Sequence, residues 1–339
     1  MKIGTTFDLE RAQNWGLNCK KSLERIIDLG LSPIRIGIKW NKVCNNSPPK
    51  ADQPMARKLK DQNLKQGNYN WTEYDHIFEY LNRNKIPTIL ATGMKSPQWP
   101  EYYTPNNLIT QFTINNPKFK NSLFSFINAC IKRYSHLSNI THIQIENEPF
   151  LPSGPNKRRL SEVLLTEEIS KAREKTKLPI LLTAQGLPTT GIIAEYLRGR
   201  HKYKKTLTDL GNAIGLNIFP VIHDHFLFGS TKTFKASKLA WKYFDRLVNE
   251  IKSKDKECLI TELQAEPWEG KEPDFKNPYG NKTCNPDMVK DYLKRVGDIG
   301  IETVLLWGIE FHLKCETQGN DTWIKMIEQV LDRRKEKRF

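Results

Sequence analysis

Gln144-Ile145-Glu146-Asn147-Glu148-Pro149 is the stretch that decides how the chain is read. It closes the apolar run that begins at Ile140 and ends in an Asn-Glu pair sealed by proline. Proline has no N–H for a sheet ladder, so a strand is expected to stop there. A carboxylate at the mouth of a buried strand is where a barrel enzyme places an acid. A second stretch of the same kind lies far downstream, Cys258-Leu259-Ile260-Thr261-Glu262. The expectation is that Glu148 and Glu262 face each other across one pocket.

Regular alternation leaves alternatives open. In an unbroken strand Gln144, Glu146 and Glu148 share one face and Ile143 and Ile145 the other. Glu146 is therefore a rival acid, deeper in the barrel, and Asn147 reaches the pocket only if the strand twists or bulges. Glu266, followed by Pro267-Trp268, imitates the first motif.

Outward from these two stretches, short β-rich runs alternate with helical patterns. The runs are Ile3 to Phe7, Ile34 to Trp40, Pro87 to Gly93, Ile140 to Asn147, Ile180 to Ala184, Ala213 to Ile218, Cys258 to Glu262 and Thr303 to Trp307. Between them lie amphipathic stripes, such as Tyr74, Ile77, Phe78 and Leu81, or Phe119, Leu123, Ile127, Cys130, Ile131 and Tyr134 after an Asn116-Pro117 start. Asn285-Pro286-Asp287 opens another helix. Ile192 to Leu197 reads as a short helix and Arg198 to Lys205 as a basic connector. Asn41 to Asn70, with Pro48, Pro49 and Pro54, reads as a long surface loop.

Eight β–α units without a second compositional block predict an α/β fold, a (β/α)8 TIM barrel, as a single domain over 1–332 with a basic tail at 333–339. Strands apolar on both faces suit a parallel sheet covered by helices. An open doubly wound sheet normally carries a glycine-rich phosphate turn after its first strand, and none follows here.

The 339 residues are 38% hydrophobic and 27% charged, ordinary for a chain with a large core. No apolar run is long enough to span a membrane. No signal peptide is visible at Met1 to Asp8, so a cytoplasmic protein is the expectation. The six cysteines are scattered without a CxxC pair, which disfavours a zinc knuckle. Net charge is +15. That admits an acidic partner, but no groove-reading motif accompanies it, so a lysine-rich solvated surface is expected and no nucleic acid. A monomer is expected.

In a parallel barrel, reactive groups sit at the C-terminal ends of strands. Those ends carry Trp40 and Asn41, Asn147 and Glu148, Asn217 and Phe219, Glu262, and Trp307, with Trp268 just beyond the seventh. Carboxylates, amides and flat aromatics in one cup suit a sugar. A single strand-end glutamate is more often a salt-bridge member or a cap. Two of them, joined to tryptophans, shift the balance toward carbohydrate chemistry.

Asn147-Glu148-Pro149 and Thr261-Glu262, in this strand order, resemble the glycoside hydrolases of clan A, the retaining (β/α)8 group that includes family 5 cellulases and mannanases. The resemblance covers nearly the whole chain. It implies that Glu148 is the general acid/base, Glu262 the nucleophile, and Asn147 the amide at the sugar 2-hydroxyl. It also implies that Arg35 keeps the nucleophile ionised and that Trp307 floors the sugar site. Trp40, Asn217 and Trp268 complete the expected substrate contacts. The implied reaction is double displacement between carboxylates about 5 Å apart, with a carbohydrate as partner and no metal or other cofactor.

The chain departs from the family in two places. Phe219 stands where a tyrosine often hydrogen-bonds the nucleophile, which makes His223 and His225 candidate substitutes. Met94 and Lys95 occupy a loop that often holds histidines. The first departure supports a reading of another class, a sugar-binding barrel with weak or no catalysis. Lys157, Arg158 and Arg159, after the fourth strand, point to a negatively charged sugar as one candidate substrate.

Overall fold

The apolar runs form a barrel. The computed structural model describes residues 1–44, 69–153, 159–197, 199–225, 231–269 and 273–336. Its elements include ten strands: β1 (Lys2–Phe7), β2 (Ile34–Gly37), β3 (Thr88–Thr92), β4 (Ile140–Ile145), β5 (Ile180–Gln185), β6 (Ala213–Ile218), β7 (Val221–His225), β8 (Thr231–Lys235), β9 (Glu257–Gln264) and β10 (Thr303–Trp307). Eight of them close in the order β1-β10-β9-β6-β5-β4-β3-β2 as a parallel (β/α)8 TIM barrel, and β7 and β8 form a separate antiparallel pair. The chain divides into two compact units, Met1–Ile36 with Thr183–Phe339, and Gly37–Leu182.

In the first unit, β1 lies between β10 and β2, and β9 lies between β10 and β6. One register detail matters for the site. Along β6, Leu216 pairs with Ile260 but Asn217 with Glu262. Along β10, Val304 pairs with Ile260 but Leu306 with Leu263. Strand β9 therefore carries an extra residue, at Thr261–Glu262, against both neighbours. Such a bulge bends the strand and re-aims a side chain. The helices of this unit start where their caps dictate. Asn18, Ser237 and Asn285 accept from backbone N–H groups at the starts of Cys19–Asp28, Lys238–Lys252 and Pro286–Asp298.

In the second unit, β3 pairs with β4, and β4 with the start of β5. The helices Thr72–Arg83 and Pro117–Tyr134 pack through Phe78 and Tyr134, whose rings stack at 4.2 Å. Asn116 caps the second of these with proline in its first turn. Ser161 caps Glu162–Arg173.

Four expectations are corrected. The second strand ends at Gly37, and Trp40 opens a short helix, Trp40–Val43. The fourth ends at Ile145 rather than Asn147, because Glu146 and Glu148 both take positive φ, 58° and 43°, which no strand continues through. The basic segment expected as a connector is a helix, Arg200–Leu210. The β7–β8 pair is an insertion that the alternation of runs did not reveal. Gln264 anchors it through two bonds to Val221, donating to the carbonyl at 2.8 Å and accepting from the amide at 3.1 Å. Pro48, Pro49, Pro54, Lys157, Arg158 and Arg198 lie outside the described residues, as do the side chains of His223, His225 and the tail from Arg333.

Candidate active site

Glu262, Arg35, Asn217, Trp268 and Trp307 belong to the first unit. Arg35 projects from β2 and has no exposed surface. Its Nη2 donates to Glu262 Oε1 at 2.7 Å and its Nε to Thr6 Oγ1 at 2.9 Å. The sequence prepares this arrangement: Thr6 pairs in register with Arg35 across β1 and β2, so hydroxyl and guanidinium are cross-strand neighbours. Glu262 itself is 5% exposed, at the bulge of β9. A buried guanidinium beside a carboxylate favours its charged form by Coulomb attraction.

Asn217, in register with Glu262, accepts with its side-chain oxygen from Thr261 Oγ1 at 2.6 Å. Its Nδ2 is buried and, among the described residues, has no acceptor. Trp307, last residue of β10, likewise buries an Nε1 without an acceptor among the described residues. An unsatisfied buried donor costs about 1–3 kcal/mol, so each needs an explanation. Trp268 is the most open of the expected contacts at 41% exposure. Phe219 meets it edge-on at 5.5 Å.

A second buried charge cluster lies in the same unit. Arg11 Nη2 bonds Glu266 Oε2 at 2.7 Å, and its Nη1 lies 3.7 Å from Glu310 Oε2. Glu310 also accepts from the Asp8 amide at 2.6 Å. Burial pushes the Glu310 carboxyl up to about 7 although Arg11 and the Asp8 amide favour its charge. Glu266, the imitation of the first motif, is thus tied into an ion network. Sequence reasoning missed Glu310, which sits on a helix after β10 without motif context.

Asn147, Glu148 and Trp40 belong to the second unit. Glu148 follows β4 and is 8% exposed. Its carbonyl accepts from Lys95 Nζ at 2.7 Å. The Asn147 amide donates to the Lys95 carbonyl at 3.0 Å, and its side-chain oxygen accepts from Gln144 at 3.3 Å. The two positive φ values break the alternation, so Glu146, Asn147 and Glu148 do not follow the two-face rule. Glu146 is wholly buried, and its oxygens accept from the Met94 and Lys95 amides at 2.8 and 2.6 Å. Trp40 is not a sugar platform here: it is 1% exposed and stacks on Phe126 at 5.3 Å, inside the core. Arg159 is exposed. Among the described residues no group of three His, Cys, Asp or Glu stands where it could hold a metal ion, and no helix is long and apolar enough to cross a membrane.

No protein-family model matches the sequence, and no curated protein matches it. Solved structures do. A GH5_18 protein from Bifidobacterium longum is 11% identical with a TM-score of 0.57, over 91% of this chain and 69% of that one. A GH5-4 broad specificity endoglucanase from Clostridium longisporum is 13% identical with a TM-score of 0.52, over 91% and 86%. A psychrophilic glycoside hydrolase family 10 endo-β-1,4-xylanase is 16% identical with a TM-score of 0.52, again over 91% and 86%. Other solved glycosidases that the chain matches are far longer, and it spans 42%, 50% and 39% of three of them. At these identities the likeness is one of fold: the chain and these proteins have a (β/α)8 barrel in common.

Proposed function

We propose that the chain hydrolyses β-glycosidic bonds of an oligo- or polysaccharide with retention of configuration, Glu262 acting as nucleophile and Glu148 as general acid/base. The observation that carries this reading is the buried Arg35–Glu262 pair in the C-terminal half of strand β9. A glutamate paired with a buried guanidinium there, on a fold used by glycosidases, suits attack on an anomeric carbon better than a purely structural role. The orphan donors of Asn217 and Trp307 support it, because sugar hydroxyls supply the acceptors they lack.

In the first step the Glu262 carboxylate bonds to the anomeric carbon while Glu148 protonates the departing oxygen. In the second, Glu148 takes a proton from water, the hydroxide adds to the anomeric carbon, and Glu262 leaves. Asn147 is assigned to the sugar 2-hydroxyl, Asn217 to a second hydroxyl, and Trp307 and Trp268 to ring faces. The alternative is a sugar-binding barrel without turnover, favoured by the hydroxyl-free Phe219 beside Trp268.

A panel of aryl β-glycosides and neutral and uronic oligosaccharides tests the reading. Turnover by wild type, with the β-anomer seen first by NMR, is expected. Glu262→Gln is expected to lose at least about 10⁴-fold in kcat. Glu148→Ala is expected to regain activity on activated substrates when azide is added. Rescue of Glu146→Ala instead moves the acid to Glu146. Glycan binding without turnover by wild type leaves the binding module.

A further inference from the structure

The second unit contains two carboxyl groups that the reaction above does not use. Glu146 and Glu168 have no exposed surface. Glu168 comes from the helix Glu162–Arg173, and its side chain meets that of Glu146 within hydrogen-bonding reach. Among the described residues no N–H or hydroxyl donor reaches either oxygen of Glu168. Glu146 differs, because both of its oxygens accept from backbone amides. Two charged carboxylates in contact inside a protein are prohibitively unfavourable. One of them must hold a proton, and the partner without other donors is the one that gains from donating it.

This pair connects directly to Glu148. Glu146 fixes the Met94 and Lys95 amides at 2.8 and 2.6 Å. The side chain of that same Lys95, also wholly buried, donates to the carbonyls of Glu148 at 2.7 Å and Leu151 at 3.1 Å and lies 3.2 Å from Glu101 Oε2. Glu148 is held at a φ of 43°, a conformation that glutamate adopts only when its surroundings impose it. Lys95 is thus gripped by Glu146 at its backbone and grips Glu148 by its ammonium. Close packing at Gly93 leaves no slack, since a Cβ there would lie 2.5 Å from the Glu146 carboxyl carbon.

We propose that Glu146 and Glu168, one ionised and one protonated, form a buried carboxyl pair that acts through Lys95 as the positioning device for Glu148, an inference that rests on the reading of Glu148 as acid/base. Glu168 donates to Glu146, and Glu146 in turn orders the loop after β3. Burial raises both carboxyls above the ordinary range; Glu146 raises Glu168 further, whereas the hydrogen bond from Glu168 works against the rise at Glu146. The remaining charged groups bearing on the pair are Lys95, which favours the Glu146 anion, and Glu167, which opposes ionisation of Glu168. Loss of the shared proton at alkaline pH leaves two repelling charges beneath the Glu148 turn and disorders it.

The test uses the full chain as wild type, Glu168→Gln, Glu168→Ala and Lys95→Met. The infrared difference between wild type and Glu168→Gln at neutral pH is expected to show the C=O stretch of a buried protonated carboxyl as a band that only wild type has, since the contribution of Glu310 is common to both. The glutamine amide still donates to Glu146, so Glu168→Gln is expected to keep kcat within about threefold at neutral pH and to lose less of it at alkaline pH. Glu168→Ala and Lys95→Met are expected to lower kcat about 100-fold with KM nearly unchanged, the effect of a misplaced catalytic group. Should Glu168→Ala fail to fold, the Glu168→Gln pH profile and Lys95→Met decide. An active wild type without the infrared band overturns the shared proton. Folded Glu168→Ala and Lys95→Met with wild-type kcat overturn the positioning role. A wild type that shows the band but turns over no glycoside overturns the acid/base reading instead and leaves the carboxyl pair standing.

Discussion

Arg35 and Glu262 meet at 2.7 Å, with side chains 0% and 6% exposed. A charge pair so deep is weak evidence for stability, because desolvation offsets the attraction, yet removing one partner strands the other. Arg35→Met is therefore expected to cost about 3–5 kcal/mol, read by urea denaturation. Adding Glu262→Leu to it should recover most of that loss. If the double variant is as unstable as the single, Arg35 matters through its bond to Thr6 rather than through Glu262.

Gly93 and Gly30 give a contrast in what glycine is for. Both have positive φ, 125° and 80°, but only Gly93 faces an obstacle, the Glu146 carboxyl. Gly30→Ala should lose about 1–2 kcal/mol, the cost of left-handed backbone alone. Gly93→Ala should lose clearly more, and kcat as well, because Glu146 must move. Equal losses would mean that the loop yields without cost.

Much of this was legible in the sequence, for physical reasons. Parallel strands buried on both faces read as unbroken apolar runs, and Thr303 to Trp307 is a strand over its whole predicted length. Caps announced helix starts at Asn116 and Asn285. The ion pair of Arg35 followed from the family resemblance. What periodicity does not encode is where a strand stops obeying it. The bulge at Thr261–Glu262 and the positive φ values at Glu146 and Glu148 are properties of the closed sheet, not of residue order. Trp40 misled because a tryptophan at a strand end reads equally as platform or core, and only packing on Phe126 decides. Glu168 was invisible because one glutamate on an otherwise ordinary helix carries no signal until its partner is in place.

Glu310 predicts a pH effect of definite sign. Its folded-state value, about 7, lies above the ordinary carboxylate value of 4.5, so the folded state holds a proton that the unfolded state releases. The associated stability is complete below the ordinary value and is lost as pH rises through about 7. The full loss amounts to about 3 kcal/mol. Glu310→Gln keeps an acceptor for the Asp8 amide and cannot ionise, so its Tm should fall less than that of wild type between pH 5 and pH 8. Parallel curves would mean that Arg11 holds Glu310 ionised throughout.

Two tryptophans expected at the sugar should now behave oppositely. Trp40 is 1% exposed against Phe126 and Phe119, so Trp40→Ala opens a cavity and should cost about 3–5 kcal/mol. Trp268 is 41% exposed and meets Phe219 edge-on. Trp268→Ala should change stability by less than about 1 kcal/mol. If its open face stacks on a pyranose, the same change should raise KM for oligosaccharides several-fold and leave kcat on small aryl glycosides alone, because binding remote from the reacting carbon is lost without touching the carboxylates. Denaturation curves and steady-state kinetics on both variants separate the two roles. A Trp268→Ala protein with unchanged KM across the panel removes that residue from the sugar site.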